Sequence, residues 1–433
     1  MTGLRVVAAI LVSVFASGQS SAQLGEGPVT GELGGYVESR HHVLFGLDPE
    51  TAKLPFLPPG LHPDERYGAI ERLRPTLKLN IGSDTTVVVT PLLTVGHLAF
   101  DREPKSIDDL VTVERLYFTA TDDDLDLTFG KQSIAWGSGL LLNPTDPFNE
   151  RDAGDLTAER VGVLAARLTY GVDERSNVAL VAAVPAETCC AGRFVGRADT
   201  TMGTTDAAVT TTWDQEDEHF IGGLDLRGEW EVGLWIEATA TVPSAAPSDV
   251  FPTVELGVDY SFEVVKAVYL SLEYLHQGDG EARPGARLDR ENLGQRLLPV
   301  VLGEPGAEAT LAETFTRDRL LLGSHYAVAL LRLELNSWLR AQALDVTNLV
   351  DGSGLISPQL IALALESLTI TLGAQLTYGP TGGEFTTTLP RLTEAEHSQL
   401  ALVNPGLATT LHDIGGARLL PTANLYLWGR HAF

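Results

Sequence analysis

Charged side chains recur at every second position of several segments, and this spacing is the first feature that could do chemistry. Arg72, Arg74 and Lys78 lie an even number of residues apart, and so do Glu255 and Asp259. Residues two apart in a β-strand point to the same face of a sheet. Guanidinium, ammonium and carboxylate groups gathered on one wet face can attract ions and orient polar solutes. We therefore take these charges as candidate solute-binding residues.

The same alternation assigns two groups of charges to the polar faces, a basic group from early segments and an acidic group from later ones. In a closed sheet the two groups would face each other across the interior and set a transverse field. The alternative is that they pair with neighbours and only keep the interior wet. The predicted lining residues are Arg74, Lys78, Arg115, Arg167, Glu231, Glu237, Glu255, Asp259 and Glu273.

Sequence signatures of catalysis are missing. The chain has no Gly-x-Ser-x-Gly, no His-Glu-x-x-His and no P-loop motif. The adjacent His41 and His42 lack an evident third partner. Cys189 and Cys190 are also adjacent; outside the cytoplasm we expect them to be oxidised, in a strained vicinal bridge or an intermolecular one. We expect no enzyme activity, no cofactor and no metal site.

The overall charge argues against one class of partner. The 433 residues carry a net charge of −27, whereas binding to nucleic acid phosphates requires basic surfaces. The mean hydropathy of +0.06 is high for so acidic a chain. Apolar residues must therefore be interleaved with polar ones.

The amino-terminal residues predict export. Arg5 precedes an apolar run at residues 6–16, and small residues follow at 20–22. This order is typical of a secretory signal peptide, and the run is too short to cross a bilayer as a helix, which needs about 20 residues. We predict a signal peptide at 1–22 and a mature chain at 23–433.

Period-two alternation of apolar and polar residues is the main structural signal. In the segment 253–262, Leu256 and Val258 fall on one face. Glu255 and Asp259 fall on the other. Such strands suit an apolar medium on one side and water on the other. The residues predicted to face an apolar medium include Val254, Leu256, Val258, Leu234, Ile236, Leu372 and Leu376.

The connections between the predicted strands alternate between short and long. The long ones span residues 41–69, 99–110, 134–160, 185–218, 243–252, 278–318, 350–356 and 379–423. Tight turns at one end and long loops at the other are typical of transmembrane barrels. The fold class predicted is all-β: a single closed antiparallel transmembrane β-barrel of about 16 strands (14–18), with short periplasmic turns and long extracellular loops.

The connection 134–160 is the candidate constriction loop. Trp136 and Phe148 could anchor it against an inner wall, and two prolines could stiffen it. Asn143, Asp146 and Asn149 are typical turn residues, because Asn and Asp bond to nearby backbone. The alternative is an ordinary external loop with fixed turns.

Three stretches resemble known outer-membrane families. Phe433 ends a strand-like tail, which resembles bacterial outer-membrane proteins whose terminal aromatic residue is read by the barrel-insertion machinery. Residues 129–149 contain Gly-Lys-Gln, Trp-Gly and Asn-Pro-x-Asp-x-Phe-Asn in order, and they resemble porin-like barrels related to the alginate-export family. Residues 348–376 resemble the late strands of that group. The resemblance implies the outer membrane of a Gram-negative bacterium.

These observations together predict a passive outer-membrane channel, a porin or export pore, for small polar or saccharide-like solutes. The excess of carboxylates predicts a weak preference for cations or neutral polar solutes. The alternative is a non-conducting surface protein whose loops bind glycan or a partner. Expected partners are outer-membrane lipid, lipopolysaccharide, the barrel-insertion machinery and a small polar solute or oligosaccharide, with no nucleic acid.

Overall fold

A computed structural model describes most of the chain. The described residues are 22–24, 27–45, 67–98, 111–139, 143–148, 162–184, 192–263, 266–282, 321–388, 393–403, 409 and 422–433. Nearly all of the predicted signal peptide, and both cysteines, lie outside these residues.

Nineteen strands and one helix make up the described secondary structure. The helix, α1, spans Glu394–Val403. The strands are β1 Ala22–Leu24, β2 Val29–Phe45, β3 Tyr67–Ile81, β4 Thr85–Leu98, β5 Val111–Asp122, β6 Leu125–Gln132, β7 Val163–Asp173, β8 Ser176–Val184, β9 Arg193–Met202, β10 Thr205–Asp214, β11 His219–Glu229, β12 Gly233–Pro243, β13 Phe251–Glu263, β14 Ala267–Gln277, β15 His325–Glu334, β16 Leu339–Asn348, β17 Gly354–Leu365, β18 Leu368–Tyr378 and β19 Ala423–Ala432.

The strands form one closed antiparallel barrel. Each strand from β2 to β19 pairs with the next one along the chain, and β19 pairs back onto β2. The short β1 adds three residues beside β2. The barrel therefore has 18 strands, and the predicted all-β barrel is confirmed.

The predicted count of about 16 strands missed one hairpin. Strands β9 and β10 lie within the predicted long connection 185–218. The face of this hairpin that carries the exposed Phe194 and Val209 also carries small or polar residues such as Gly196, Ala198 and Thr211. Its apolar–polar contrast is therefore weak, and alternation alone did not reveal it.

The alternation elsewhere separates an apolar outer face from a polar inner face. Leu372 is 55% exposed, and Leu234, Ile236, Leu256 and Leu376 are also exposed. Between them on the same strands, Glu237 and Glu255 are buried inside the barrel. An exposed apolar belt around a polar interior is the pattern that a bilayer requires.

The two ends of the barrel differ. The turns at one end are tight, for example Asp173–Ser176 and Met202–Thr205 paired directly across β7–β8 and β9–β10. Most of the longer connections lie at the other end. Two connections at that end, 215–218 and 349–353, are nevertheless short.

No helix in the described part of the chain is long and apolar enough to cross a membrane.

Candidate functional site

The chain that follows β6 enters the barrel. We call residues 133–139 and 143–148 the lumen loop. Ile134 is fully buried in an apolar cluster on the inner wall with Ala165, Val181 and Val195. The loop therefore leaves β6 and runs along the inside of β7 to β9, because these are the strands that carry the cluster.

Two aromatic rings brace the lumen loop, as the sequence predicted. The rings of Trp136 and Phe148 lie 5.5 Å apart between centroids, and both pack against the inner-wall cluster. The guanidinium of Arg197 lies 5.5 Å from the Trp136 ring. Asp146 closes the base of the loop, since its carboxylate accepts from the backbone N–H of Trp136 at 3.2 Å and of Phe148 at 3.1 Å.

Glu237 on β12 holds the far end of the lumen loop. Its carboxylate accepts from the backbone N–H groups of Ser138 (2.5 Å), Gly139 (2.9 Å) and Thr145 (3.1 Å), and from the Thr145 hydroxyl (2.7 Å). Gly137, with φ +85°, makes this turn, and a Cβ there would collide with Asn143 and Glu237. Converging backbone N–H groups form an anion-binding nest. The loop itself therefore supplies the donors that stabilise this buried negative charge.

The lumen loop thus covers the acidic wall. By this name we mean the buried or partly buried inward carboxylates of β10 to β14, which are Asp214, Asp225, Glu237, Glu255, Asp259 and Glu273. Ser138 Oγ donates to Asp225 on β11 at 2.7 Å, and Arg193 on β9 donates to the Pro147 carbonyl. Of the predicted loop residues, Trp136, Asn143, Asp146 and Phe148 lie together in the barrel interior. Asn149 lies outside the described residues.

A second segment also enters the barrel, and sequence reasoning missed it. Residues 379–388, which follow β18, form what we call the C-terminal plug. Glu384 accepts from the Tyr326 hydroxyl, from Asn348 Nδ2 at 2.8 Å and from the Leu322 N–H at 3.0 Å. Phe385 is buried against an apolar part of the inner wall, formed by Leu275, Leu321, Tyr326, Val328, Leu330, Leu344 and Val346.

The predicted acidic lining residues are mostly buried. Glu237, Glu255 and Glu273, on neighbouring strands, are 0%, 1% and 5% exposed. Asp259 lies 3.6 Å from Arg227 and accepts from the Tyr269 hydroxyl at 3.3 Å. Glu231 differs from the prediction: it lies exposed in the turn before β12, not on a strand. The predicted strand began at residue 230, three residues before β12 begins at Gly233.

The opposite wall, formed by β19, β2, β3 and β5, is basic. Its centre is Glu38, whose carboxylate contacts Arg40 at 2.5 Å, Arg430 at 2.7 Å and Arg72 at 3.5 Å. Three guanidinium groups around one carboxylate leave a net positive charge. The sequence predicted the basic group but not its Arg430 member on the last strand.

Arg74, Arg115 and Lys78 extend this wall, whereas the remaining predicted basic residue, Arg167, lies outside it on β7. Arg74 pairs with Glu114, which sits at a bulge opposite Thr90 and Pro91. At this bulge Arg115 pairs with Thr90, and Glu114 is the extra residue next to it. Lys78 is exposed on β3, and Arg167 on β7 donates to Thr169 at 3.2 Å.

Aromatic rings accompany these arginines. Arg40 lies 4.4 Å from the centroid of Trp428, and Arg430 lies 4.2 Å from the centroid of Tyr36. Tyr426 stacks on Trp428 at 4.4 Å. These contacts hold the guanidinium planes by cation–π attraction. Parity on the last strand could have indicated Tyr426, Trp428 and Arg430, which share one face.

Several buried N–H donors of this wall have no acceptor among the described residues. They are Arg72 Nε, Arg115 Nε and Trp428 Nε1. Buried polar groups are normally hydrogen-bonded, so an unsatisfied donor needs a reason.

Phe433 closes the barrel seam through its backbone. Its N–H donates to the Gly35 carbonyl at 3.0 Å, and the Gly35 N–H donates to its carbonyl at 2.9 Å. Leu425 and Leu427, which share its parity, are exposed on the outer face. This placement suits the predicted assembly signal, whose reading by insertion machinery stays a prediction.

Comparisons with solved structures show which known proteins share the architecture of this barrel. The chain is similar to OprD from Pseudomonas aeruginosa at 9% identity and TM-score 0.53, covering 93% of this chain and 94% of that one. It has the fold of an outer-membrane β-barrel. A BenF-like porin from Pseudomonas fluorescens Pf-5 aligns at 8% identity and TM-score 0.51, over 93% and 98% of the two chains.

A third similar structure is Wzi, described as an outer-membrane, carbohydrate-binding β-barrel involved in capsule assembly in Escherichia coli. It aligns at 10% identity and TM-score 0.51, over 92% of this chain and 84% of Wzi. No protein-family model and no curated protein matches the sequence. The relation to alginate-export proteins therefore stays a resemblance, and the likeness at this identity shows the fold alone.

Proposed function

We propose that this protein is an outer-membrane channel for small polar solutes, and that acidic solutes pass most readily. The observation that carries the proposal is the asymmetry of the inner wall. The lumen loop lies over β7 to β12 and the C-terminal plug lies over β14 to β16. Among the described residues, neither segment lies over the wall of β19, β2, β3 and β5, and we take this wall to face the solute path.

The charges on that wall favour acidic solutes. Its inward arginine and lysine residues that are at least partly exposed are Arg72, Lys78, Arg115 and Arg430, against the carboxylates of Glu32 and Glu114, whereas Arg40, Arg74 and Glu38 are buried. The weak cation preference expected from sequence depended in part on Glu237, Glu255 and Glu273 facing the solute. Their burial removes that part of the premise, and the exposed charges of the basic wall favour an anion preference instead.

Reversal potential in a salt gradient across a planar bilayer tests the proposal. We expect the unmodified protein to prefer Cl⁻ over K⁺, and Arg72→Gln with Arg430→Gln to lower that preference. The control is Arg340→Gln, to be compared with each of the two single variants, because it removes an equal charge from a half-exposed pair with Glu334. A cation-selective unmodified channel would contradict the proposed substrate class.

A second candidate function is a non-conducting surface protein that binds carbohydrate. Two segments already occupy the interior, which favours a narrow or closed lumen, and Wzi shows that this fold accommodates such a role. A bilayer experiment with no conductance, together with binding on a glycan array, would support this reading.

The location and partners belong to the same proposal. The exposed apolar belt would contact outer-membrane lipid and lipopolysaccharide, and Phe433 would be read by the barrel-insertion machinery. A small polar solute or oligosaccharide would be the cargo.

A further inference from the structure

The carboxylates of the acidic wall differ in what neutralises them. Asp214 accepts from Arg193 at 2.6 Å, Asp225 from Arg197 at 3.2 Å, and Asp259 lies 3.6 Å from Arg227. Glu237 is held by the backbone N–H groups of the lumen loop. A buried carboxylate needs such compensation, because desolvation of an uncompensated charge costs several kcal/mol.

Glu255 lacks this compensation on one of its two oxygens. Trp235 Nε1 donates to Glu255 Oε1 at 3.1 Å, and the Trp235 ring lies over Gly257, where no side chain obstructs it. Glu255 Oε2 is buried and has no hydrogen-bond partner among the described residues. This arrangement fixes the orientation of the carboxylate and leaves one oxygen needing a positive charge or a donor.

The neighbour of Glu255 is a second carboxyl group. Glu273 lies on β14, opposite Gly257, and its side chain comes within hydrogen-bond reach of Glu255. Glu237, which pairs directly with Glu255 across β12 and β13, adds a third negative charge nearby. Two carboxylates in contact repel each other unless a proton or a cation lies between them.

We propose that Glu255 and Glu273 bind a hard divalent cation, Mg²⁺ or Ca²⁺, inside the barrel wall. Both cations prefer oxygen ligands, and two carboxylates balance their charge. No group of three or more His, Cys, Asp or Glu in the described residues is arranged for a metal. The site therefore has two protein carboxylates, the number that Mg²⁺ commonly takes, and water completes the coordination.

The site would brace the acidic wall from behind the lumen loop. Glu237 receives the loop on one side and faces Glu255 on the other. A cation at Glu255 and Glu273 would lower the electrostatic repulsion between these carboxylates and Glu237, which holds the loop. This role is separate from solute selectivity on the basic wall.

Metal content provides the direct test. The protein in detergent is treated with EDTA, equilibrated with Mg²⁺ or Ca²⁺ alone, desalted and analysed for bound metal. We expect about one ion per chain, and at least about tenfold weaker binding in Glu255→Gln and Glu273→Gln, since each removes a charged ligand. Glu231→Gln, an exposed carboxylate outside the site, is the matched control and should bind as the unmodified protein does.

Terbium luminescence gives a second readout that does not depend on the folding of the glutamine variants. Tb³⁺ replaces Ca²⁺ at oxygen sites, and Trp235 beside Glu255 should sensitise its emission. Addition of Ca²⁺ should quench the signal, and Trp235→Phe should abolish it.

Two results would overturn the proposal. A chain that retains only background metal and gives no Trp235-sensitised emission would mean that Glu255 and Glu273 share a proton instead. Equal metal binding by the unmodified protein and both glutamine variants would place the ion elsewhere, for example in the acidic loops.

Discussion

Single carboxylates do much of the positioning inside this barrel. Glu237 gathers four donors from the lumen loop, and Glu384 gathers three from the inner wall for the C-terminal plug. Glu38 gathers three arginines on the basic wall. In each case a buried charge is satisfied by several converging donors, which is how a low-dielectric interior tolerates it.

Removing Glu237 should release the lumen loop. In Glu237→Ala, three backbone N–H groups lose a buried acceptor, and each unsatisfied group costs about 1–3 kcal/mol. We expect a lower free energy of unfolding in micelles and a larger, noisier single-channel conductance. Glu231→Ala, in an exposed turn, is the control. Unchanged conductance in Glu237→Ala would show that the loop does not limit the pore.

At the scale of elements, the inner wall is divided between two inserted segments. Strands β14 to β16 carry apolar side chains on the inside, including Leu275, Val328 and Val346, and the C-terminal plug covers them. This explains why β15 alternates poorly in sequence: both of its faces carry apolar residues, one towards lipid and the other towards Phe385.

Truncating the plug residue tests this packing. Phe385→Ala removes a fully buried ring, a change that typically costs about 3–5 kcal/mol. We expect the free energy of unfolding to fall by an amount of that order, and the conductance to rise as the plug loosens. Leu402→Ala, on the exposed face of α1, should leave both unchanged. A stable Phe385→Ala variant with unaltered conductance would mean that the plug stands clear of the solute path.

The whole molecule is organised by inside and outside rather than by a central core. Its apolar belt faces outward, and its interior is polar except where the two segments pack against the wall. Adjacent residues on one strand therefore lie at nearly the same depth in the membrane, but one faces lipid and the other faces the barrel interior. The effects of the same substitution at two such residues can be compared directly.

Arginine substitutions at Leu116 and Tyr117 should separate the two faces. Leu116 on β5 is 50% exposed on the outer face, whereas Tyr117 points inward. An arginine on the lipid face near the midplane costs about 2–4 kcal/mol. We expect Leu116→Arg to destabilise the barrel in lipid vesicles by that amount and Tyr117→Arg to be tolerated. Equal stability of the two variants would contradict the assigned faces.

The sequence determined the barrel and the parity of most of its strands, and it indicated residues 134–160 as a candidate constriction loop. Each of these follows from local patterns: alternation sets which side chain meets lipid, as at Leu256 and Glu255, and Trp136 with Phe148 marks a loop with aromatic anchors. The hairpin β9–β10 was not predicted, because small residues such as Gly196 and Ala198 leave little apolar–polar contrast between its two faces.

Only the tertiary structure decided which charges face the solute. Glu237, Glu255 and Glu273 have the parity of lining residues, yet the lumen loop and their neighbours bury them. Arg430 joins Arg40 and Arg72 around Glu38 although nearly 400 residues separate them in the chain. The contact of Glu255 with Glu273 likewise depends on register across two strands. The pairing partner of a strand and the path of a loop are non-local, so no spacing in the sequence could reveal them.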